Sequence, residues 1–234
     1  MQIASTTLEG QHVRLEPLSL ADSEPLIDAA SDGELWNSTV TIIPDRAGMA
    51  AYIEEALQDQ ARHETLPFAI IRKAISEAGT TGAGAPPPGR HSDVPARVVG
   101  TTRFCDIRPA DRRVAIGYTW LALSAQRTVI NTESKLLLLT HAFEHWPCNR
   151  VELITDVLNQ QSRAAILRLG AKQEGILRSF SILISMRRTR AGFRAMKCFP
   201  KAPCSSACAA PIRRIASDHS RDRRSRKRQN PVDV

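Results

Sequence analysis

The chain has little of what would mark a membrane, secreted or metal-clustered protein. None of its apolar runs approaches the roughly 20 residues that a membrane span needs. The opening Met1-Gln2-Ile3-Ala4-Ser5-Thr6-Thr7 lacks the basic-then-apolar order of a secretory signal. The cysteines, Cys105, Cys148, Cys198, Cys204 and Cys208, are odd in number and form no Cys-x-x-Cys pair, which excludes the usual disulfide framework and zinc ribbon. A soluble cytoplasmic protein is the expectation. The 42% hydrophobic content of the 234 residues is enough for one sizeable core.

Negative charge is scarce only at one end. Residues 1–177 carry 17 basic and 21 acidic side chains, a net of −4, whereas residues 178–234 carry 15 and 3, a net of +12. The overall +8 therefore belongs to the C-terminal tail and says nothing about the rest. The run Arg221-Asp222-Arg223-Arg224-Ser225-Arg226-Lys227-Arg228 has the look of a nucleic-acid or nuclear-targeting patch. It lacks interleaved aromatics for base stacking, so a solvated, disordered tail with weak nonspecific nucleic-acid contact is the plainer reading.

Ahead of the tail, elements alternate. Leu8 to Leu18 reads as a first strand, Ser19 with Asp22 starts a helix burying Leu26, Ile27 and Ala30, and Pro44-Asp45 opens another carrying Met49, Tyr52, Ile53, Ala56 and Leu57. Leu66 to Arg72 is a strand. Residues 76–95, rich in Gly and Pro, predict a flexible hairpin insertion. Gly100 to Ile107 then pairs with Val114 to Leu121 across Pro109-Ala110-Asp111, placing residues 114, 116, 118 and 120 on one face.

The next stretch is the most informative. A polar turn, Ser124 to Thr128, leads into a helix with Asn131 or Thr132 as N-cap and Glu133 at the positive end of the dipole. That helix is expected to bury Leu136, Leu139 and Phe143 until Pro147 stops it. Val151 to Thr155 reads as a strand, Asn159 and Ser162 as the start of a second helix, and Gly170 as its stop. A helix start beside a strand end is a place where backbone N–H groups can cradle a phosphate.

Taken together, Ile116-Gly117-Tyr118-Thr119-Trp120-Leu121, Gln126-Arg127-Thr128, Asn131-Thr132-Glu133, His141-Ala142-Phe143-Glu144, Arg150-Val151-Glu152-Leu153, Asn159 with Ser162, Arg168-Leu169-Gly170-Ala171 and Glu174-Gly175 resemble the GCN5-related N-acetyltransferase superfamily. The nearest branch holds the ribosomal-protein N-terminal acetyltransferases, whose first strand Leu8 to Leu18 also resembles. The resemblance implies an α/β fold of the acyl-CoA N-acyltransferase type: a mixed, mostly antiparallel, splayed sheet flanked by helices. It would occupy residues 1–178, followed by the basic tail 179–234.

The implied activity is transfer of an acetyl group from acetyl-CoA to a primary amine, on a protein N-terminus or a small molecule. Leu121 and Leu123 would offer backbone groups to the pantetheine arm. Gln126, Arg127, Thr128, Val129, Ile130, Asn131 and Thr132 would wrap the pyrophosphate, and Asn159 with Ser162 would lie near the thioester. Ser162 would protonate the departing thiolate or cap its helix. Glu152 and Asp156 would relay a proton from the amine through water, or face solvent from an edge strand.

The departures are as specific. The family's phosphate loop usually reads Gln/Arg-x-x-Gly-x-Gly/Ala, and here Val129 and Asn131 stand in the glycine positions; β-branched Val129 and Ile130 resist unusual backbone angles. Ile166 stands where many relatives have a tyrosine that serves as the catalytic acid, and Ala115 where many have a glutamate. An acetyl-CoA-binding protein with impaired catalysis is thus the alternative, and a nucleic-acid-associated protein a more distant one.

Resemblance stops near Ser179, where relatives continue with two more strands. The Arg- and Ser-rich residues there have the pattern a C-terminus read out of register would give, with Phe180 to Ile184 as a partial substitute and an unpaired edge at Val151 to Thr155. His141-Ala142-Phe143-Glu144-His145 also matches a His-x-x-Glu-His zinc pattern, or simply flanks a core phenylalanine.

Overall fold

In a computed structural model, the structure describes residues 1, 3–74 and 95–177, together with the backbone of residues 204–205 and 208–209. Strands β1 (Leu8–Glu9) and β2 (Val13–Pro17) form a hairpin. The Ser19 N–H then donates to Asp22 Oδ2 at 2.8 Å, a local cap that turns the chain into α1 (Ser23–Ser31). This helix buries Leu26, Ile27, Ala29 and Ala30. Asp45 accepts the Gly48 N–H at 3.0 Å just ahead of α2 (Met49–Ala61), whose Met49, Ile53 and Ala56 are buried on one stripe.

The central strands are β3 (Leu66–Arg72), β4 (Arg97–Arg108) and β5 (Arg113–Leu121). Leu66 to Ile71 are all buried, as a strand covered on both faces should be. Helix α3 (Val129–Thr140) follows, its end continuing as a π-helical turn over His141–His145, and β6 (Arg150–Leu153) returns to the sheet. The chain goes on through β7 (Thr155–Asp156), α4 (Gln160–Arg168), β8 (Lys172–Gln173) and β9 (Ile176–Leu177), then β10 (Cys204–Ser205) and β11 (Cys208–Ala209).

The main sheet has six strands in the order β1-β2-β3-β4-β5-β6. All its pairs are antiparallel except β5 with β6. The mixed, curled sheet and its flanking helices are those the resemblance implies.

Several details differ from the sequence reading. Helix α3 starts at Val129 rather than near Asn131, because Thr128 takes extended backbone and its Oγ1 accepts the Ile130 N–H at 3.3 Å. The buried stripe shifts accordingly to Ile130, Ser134, Lys135, Leu138 and Leu139, while Leu136 is 38% exposed. Glu133, placed in that reading at the dipole, instead accepts the backbone N–H groups of Gln11 and His12 in the β1–β2 turn.

The edge expected to be bare at Val151 to Thr155 is partly covered, since Thr155–Asp156 pairs with Ser205–Cys204, which also pairs with β9. β11 pairs with β8. Phe180 to Ile184, the basic cluster at 221–228, and the 76–95 insertion apart from its last residue lie outside the described residues.

Candidate active site

β5 and β6 run side by side only from Arg113 opposite Arg150 to Ile116 opposite Leu153. Beyond that point β5 continues to Leu121 paired, among the described residues, with β4, and the other strand turns off at Ile154 to pair with β10. Among the described residues the pairing thus ends in a gap, with Gly117 to Leu121 on one side and Ile154 to Asp156 on the other.

The sequence pattern hid a β-bulge at the mouth of this gap. Thr101 pairs with Trp120 and Arg103 with Gly117, so Thr102 alone opposes Tyr118 and Thr119. Tyr118 has φ 51°, which sends its ring out of the expected stripe and leaves it 56% exposed; Val114, Ile116 and Trp120 stay buried. On the α2 face the ring lies 4.4 Å from the guanidinium of Arg103, which is 2% exposed and also stacks on Tyr52 at 4.7 Å. Asp59 is 4.0 Å from Arg103. Burial, and secondarily Cys105, raises the Tyr118 phenol above its ordinary range, keeping it protonated at neutral pH.

On the opposite face Lys135, 6% exposed, donates to Thr119 Oγ1 at 2.6 Å. Neither Arg103 nor Lys135 was singled out from sequence. The available signal was a cation four residues before buried Leu139 in a leucine-rich helix, masked by assigning the apolar stripe to Leu136.

At the end of β5 the chain wraps the start of α3. The Leu121 carbonyl accepts from Gln126 Nε2 at 2.9 Å, and the Leu123 N–H donates to the Asp32 carbonyl at 2.9 Å. Arg127 is exposed with φ 59°, so a residue with a Cβ occupies the left-handed position of this turn, a strain of roughly 1 kcal/mol. Val129 and Ile130, expected to resist such angles, lie in the regular first turn of α3 and do not meet them. Val129 is 54% exposed, Ile130 is buried in the core, and Asn131 and Thr132 follow in the same turn. A cavity of about 360 Å³ on one flank of this helix start is lined by His12, Arg72, Lys73, Thr128 and Ile130, among others.

Helix α4 begins beside this loop, with Gln161 Nε2 donating to Gln126 Oε1 at 3.0 Å. Asn159 is the cap: its Oδ1 accepts the Ser162 N–H at 3.0 Å, so the Ser162 hydroxyl is not spent on capping. Ile166 is buried against the cluster of Leu153 and Ala171.

Glu152 is not a surface carboxylate. It is 9% exposed and its Oε1 is bound by Arg150 Nε at 2.6 Å and Arg113 at 3.2 Å, on the paired side of the gap. Asp156 is also buried and accepts the Leu158 N–H at 2.7 Å. His141 and His145 stack with centroids 5.2 Å apart, and no third metal-binding side chain joins them among the described residues.

No curated protein sequence matches the chain. Solved structures do. A protein from T. thermophilus described as an acetyltransferase superposes with TM-score 0.62 at 25% identity, covering 90% of this chain and 91% of its own. The acetyl transferase from Salmonella typhimurium that modifies the N-terminal serine of ribosomal protein L7/L12 gives TM-score 0.63 at 15% identity, covering 88% and 98%. The Microcin C7 self immunity acetyltransferase MccE, in complex with acetyl-CoA and AMP, gives 0.60 at 18%, covering 86% and 93%. The family described as the acetyltransferase (GNAT) domain matches residues 12–172. That match takes in every strand of the splayed sheet except the first hairpin strand, and the chain belongs to the GNAT acetyltransferase family.

Proposed function

We propose that the chain transfers the acetyl group of acetyl-CoA to a primary amine, on a protein N-terminus or a small molecule. The observation that carries this reading is the separation of β5 from β6 after Ile116 and Leu153, directly ahead of a capped helix start. The residues present fit the group: a thioester needs a gap reachable by strand backbone, and a diphosphate needs unpaired helix N–H groups. GNAT acetyltransferases use acetyl-CoA, which when bound supplies the activated acyl group.

Leu121 and Leu123 are assigned to the pantetheine arm. The turn from Gln126 to Thr132 is assigned to the diphosphate, through the N–H groups of Val129 and Asn131 and the exposed Arg127. Because Gln126 holds the Leu121 carbonyl and bridges to α4, its rearrangement would couple filling of the cleft to the position of Asn159 and Ser162. Ser162 is the assigned proton donor to the leaving thiolate, with the protonated Tyr118 phenol as a second hydroxyl at the gap. Glu152 can receive a proton only through water while Arg113 and Arg150 hold it, which makes positioning rather than acid–base strength the main source of rate. The neighbour that modifies an N-terminal serine supports a protein N-terminus as acceptor.

A second reading, an acetyl-CoA-binding protein with impaired catalysis, is favoured by the doubly paired Glu152 and the buried Ile166. Calorimetric titration with acetyl-CoA, followed by thiol release over a panel of small amines and N-terminal peptides, tests both. Binding with turnover supports the transferase, binding without turnover selects the second reading, and no binding overturns both.

A further inference from the structure

Lys135 buries an ammonium at a position of α3 that an apolar residue could fill. Such burial is costly unless the charge is well hydrogen-bonded. Its Nζ donates to Thr119 Oγ1 at 2.6 Å and lies 3.4 Å from Thr102 Oγ1; the two hydroxyl oxygens are 2.7 Å apart. Thr119 Oγ1 in turn donates to the Gly117 carbonyl at 3.2 Å. These residues are the bulge itself: Thr102 is the one opposing residue, Thr119 belongs to the bulged pair, and Gly117 is the last residue before it. A bulge fixes register, and losing it would turn Arg113 to Gly117 to the wrong faces. Tyr118 is held from the other face by Arg103.

We propose that Lys135 is a positioning residue that locks the β5 bulge through Thr119 and Thr102, and so sets the width of the gap in which acyl transfer takes place. Its link to acyl transfer rests on the proposed function; the lock on the bulge does not. As an ammonium, Lys135 can only donate, which leaves the Thr119 hydroxyl proton for Gly117. As a neutral amine it accepts from Thr119 and competes with that bond. Burial brings its pKa down from 10.5 to about 7. Cys105, on β4, is itself pushed up to about 11 by burial and stays neutral through this range.

Hydrogen exchange of the ligand-free full chain tests the lock, with kinetics on the same proteins. Lys135→Met and Thr119→Val are expected to speed exchange of residues 117–121 at least tenfold relative to exchange of 66–72 in the same protein. They are expected to lower kcat at least tenfold with KM for acetyl-CoA within threefold. In the native chain, protection at 117–121 should fall as pH rises through about 7, and Lys135→Met should abolish that step. Unchanged exchange overturns the proposal, as does faster exchange with unchanged kcat. If Lys135→Met does not fold, Thr119→Val carries the same test. A native chain that binds no acetyl-CoA overturns the proposed function alone, and exchange at 117–121 still decides whether Lys135 holds the bulge.

Discussion

The two sides of the sheet are built on different terms. From β2 to β4 the strands are antiparallel, long and packed with Val13, Leu15, Phe68, Ile70, Val99 and Phe104 at 0% exposure. At β5 and β6 the pairing is parallel and four residues long, a bulge interrupts it on the β4 side, and Arg103, Lys135 and Glu152 are buried. One side secures the fold by apolar burial. The other keeps an opening, and at the bulge beside it two buried cations, Arg103 and Lys135, hold Tyr118 and Thr119.

The sharpest test of this contrast lies at the seam between the two sides. Gly100 faces Leu121, and a Cβ there would sit 2.0 Å from the Trp120 carbonyl oxygen. Gly100→Ala is expected to cost about 4 kcal/mol or more, seen as loss of the cooperative urea transition.

On the charged side, Lys135→Met should stabilise by about 2–3 kcal/mol at pH 6. The folded chain holds Lys135 at a pKa of about 7 against 10.5 for the free group. Between those values the unfolded chain binds a proton that the native one does not, so native stability rises with pH across that window. The advantage of Lys135→Met should therefore shrink from pH 7 to 10.5, read by thermal melts along the pH series. A variant that gains stability while losing turnover would separate the two sides cleanly.

The division was half legible in the sequence. β3 and the β4–β5 hairpin could be read because alternation and turn residues agree, and the order strand, polar turn, helix located the loop at Gln126 to Thr132. The bulge could not be read: it adds one residue without changing composition, so Tyr118 is counted onto the buried stripe. Whether Glu152 relays a proton or faces solvent could not be decided from sequence, because its two arginine partners become neighbours only through the parallel β5–β6 pairing. The cap at Thr128 was missed because Asn131 and Thr132 compete for the same role in sequence.

Smaller effects refine the contrast. Glu152→Gln leaves Arg113 and Arg150 facing a neutral amide and should cost about 2 kcal/mol by urea titration. If Glu152 also takes part in proton relay, kcat should fall further than a control such as Arg150→Lys. Thr128→Ala removes the α3 cap at a cost of about 1 kcal/mol and should weaken acetyl-CoA binding in a calorimetric titration. Arg127→Gly relieves the left-handed residue and should change stability by less than about 1 kcal/mol, while weaker acetyl-CoA binding would expose the contribution of its guanidinium.

Glu133 joins two parts that are far apart in sequence, since it takes the N–H groups of Gln11 and His12 while sitting two helical steps beyond Asn131. The β1–β2 turn is thereby tied to the helix whose start borders the cleft, and Gln11 and His12 line the cavity on its flank. A fluorophore attached at residue 11 should therefore sense any change at that helix start.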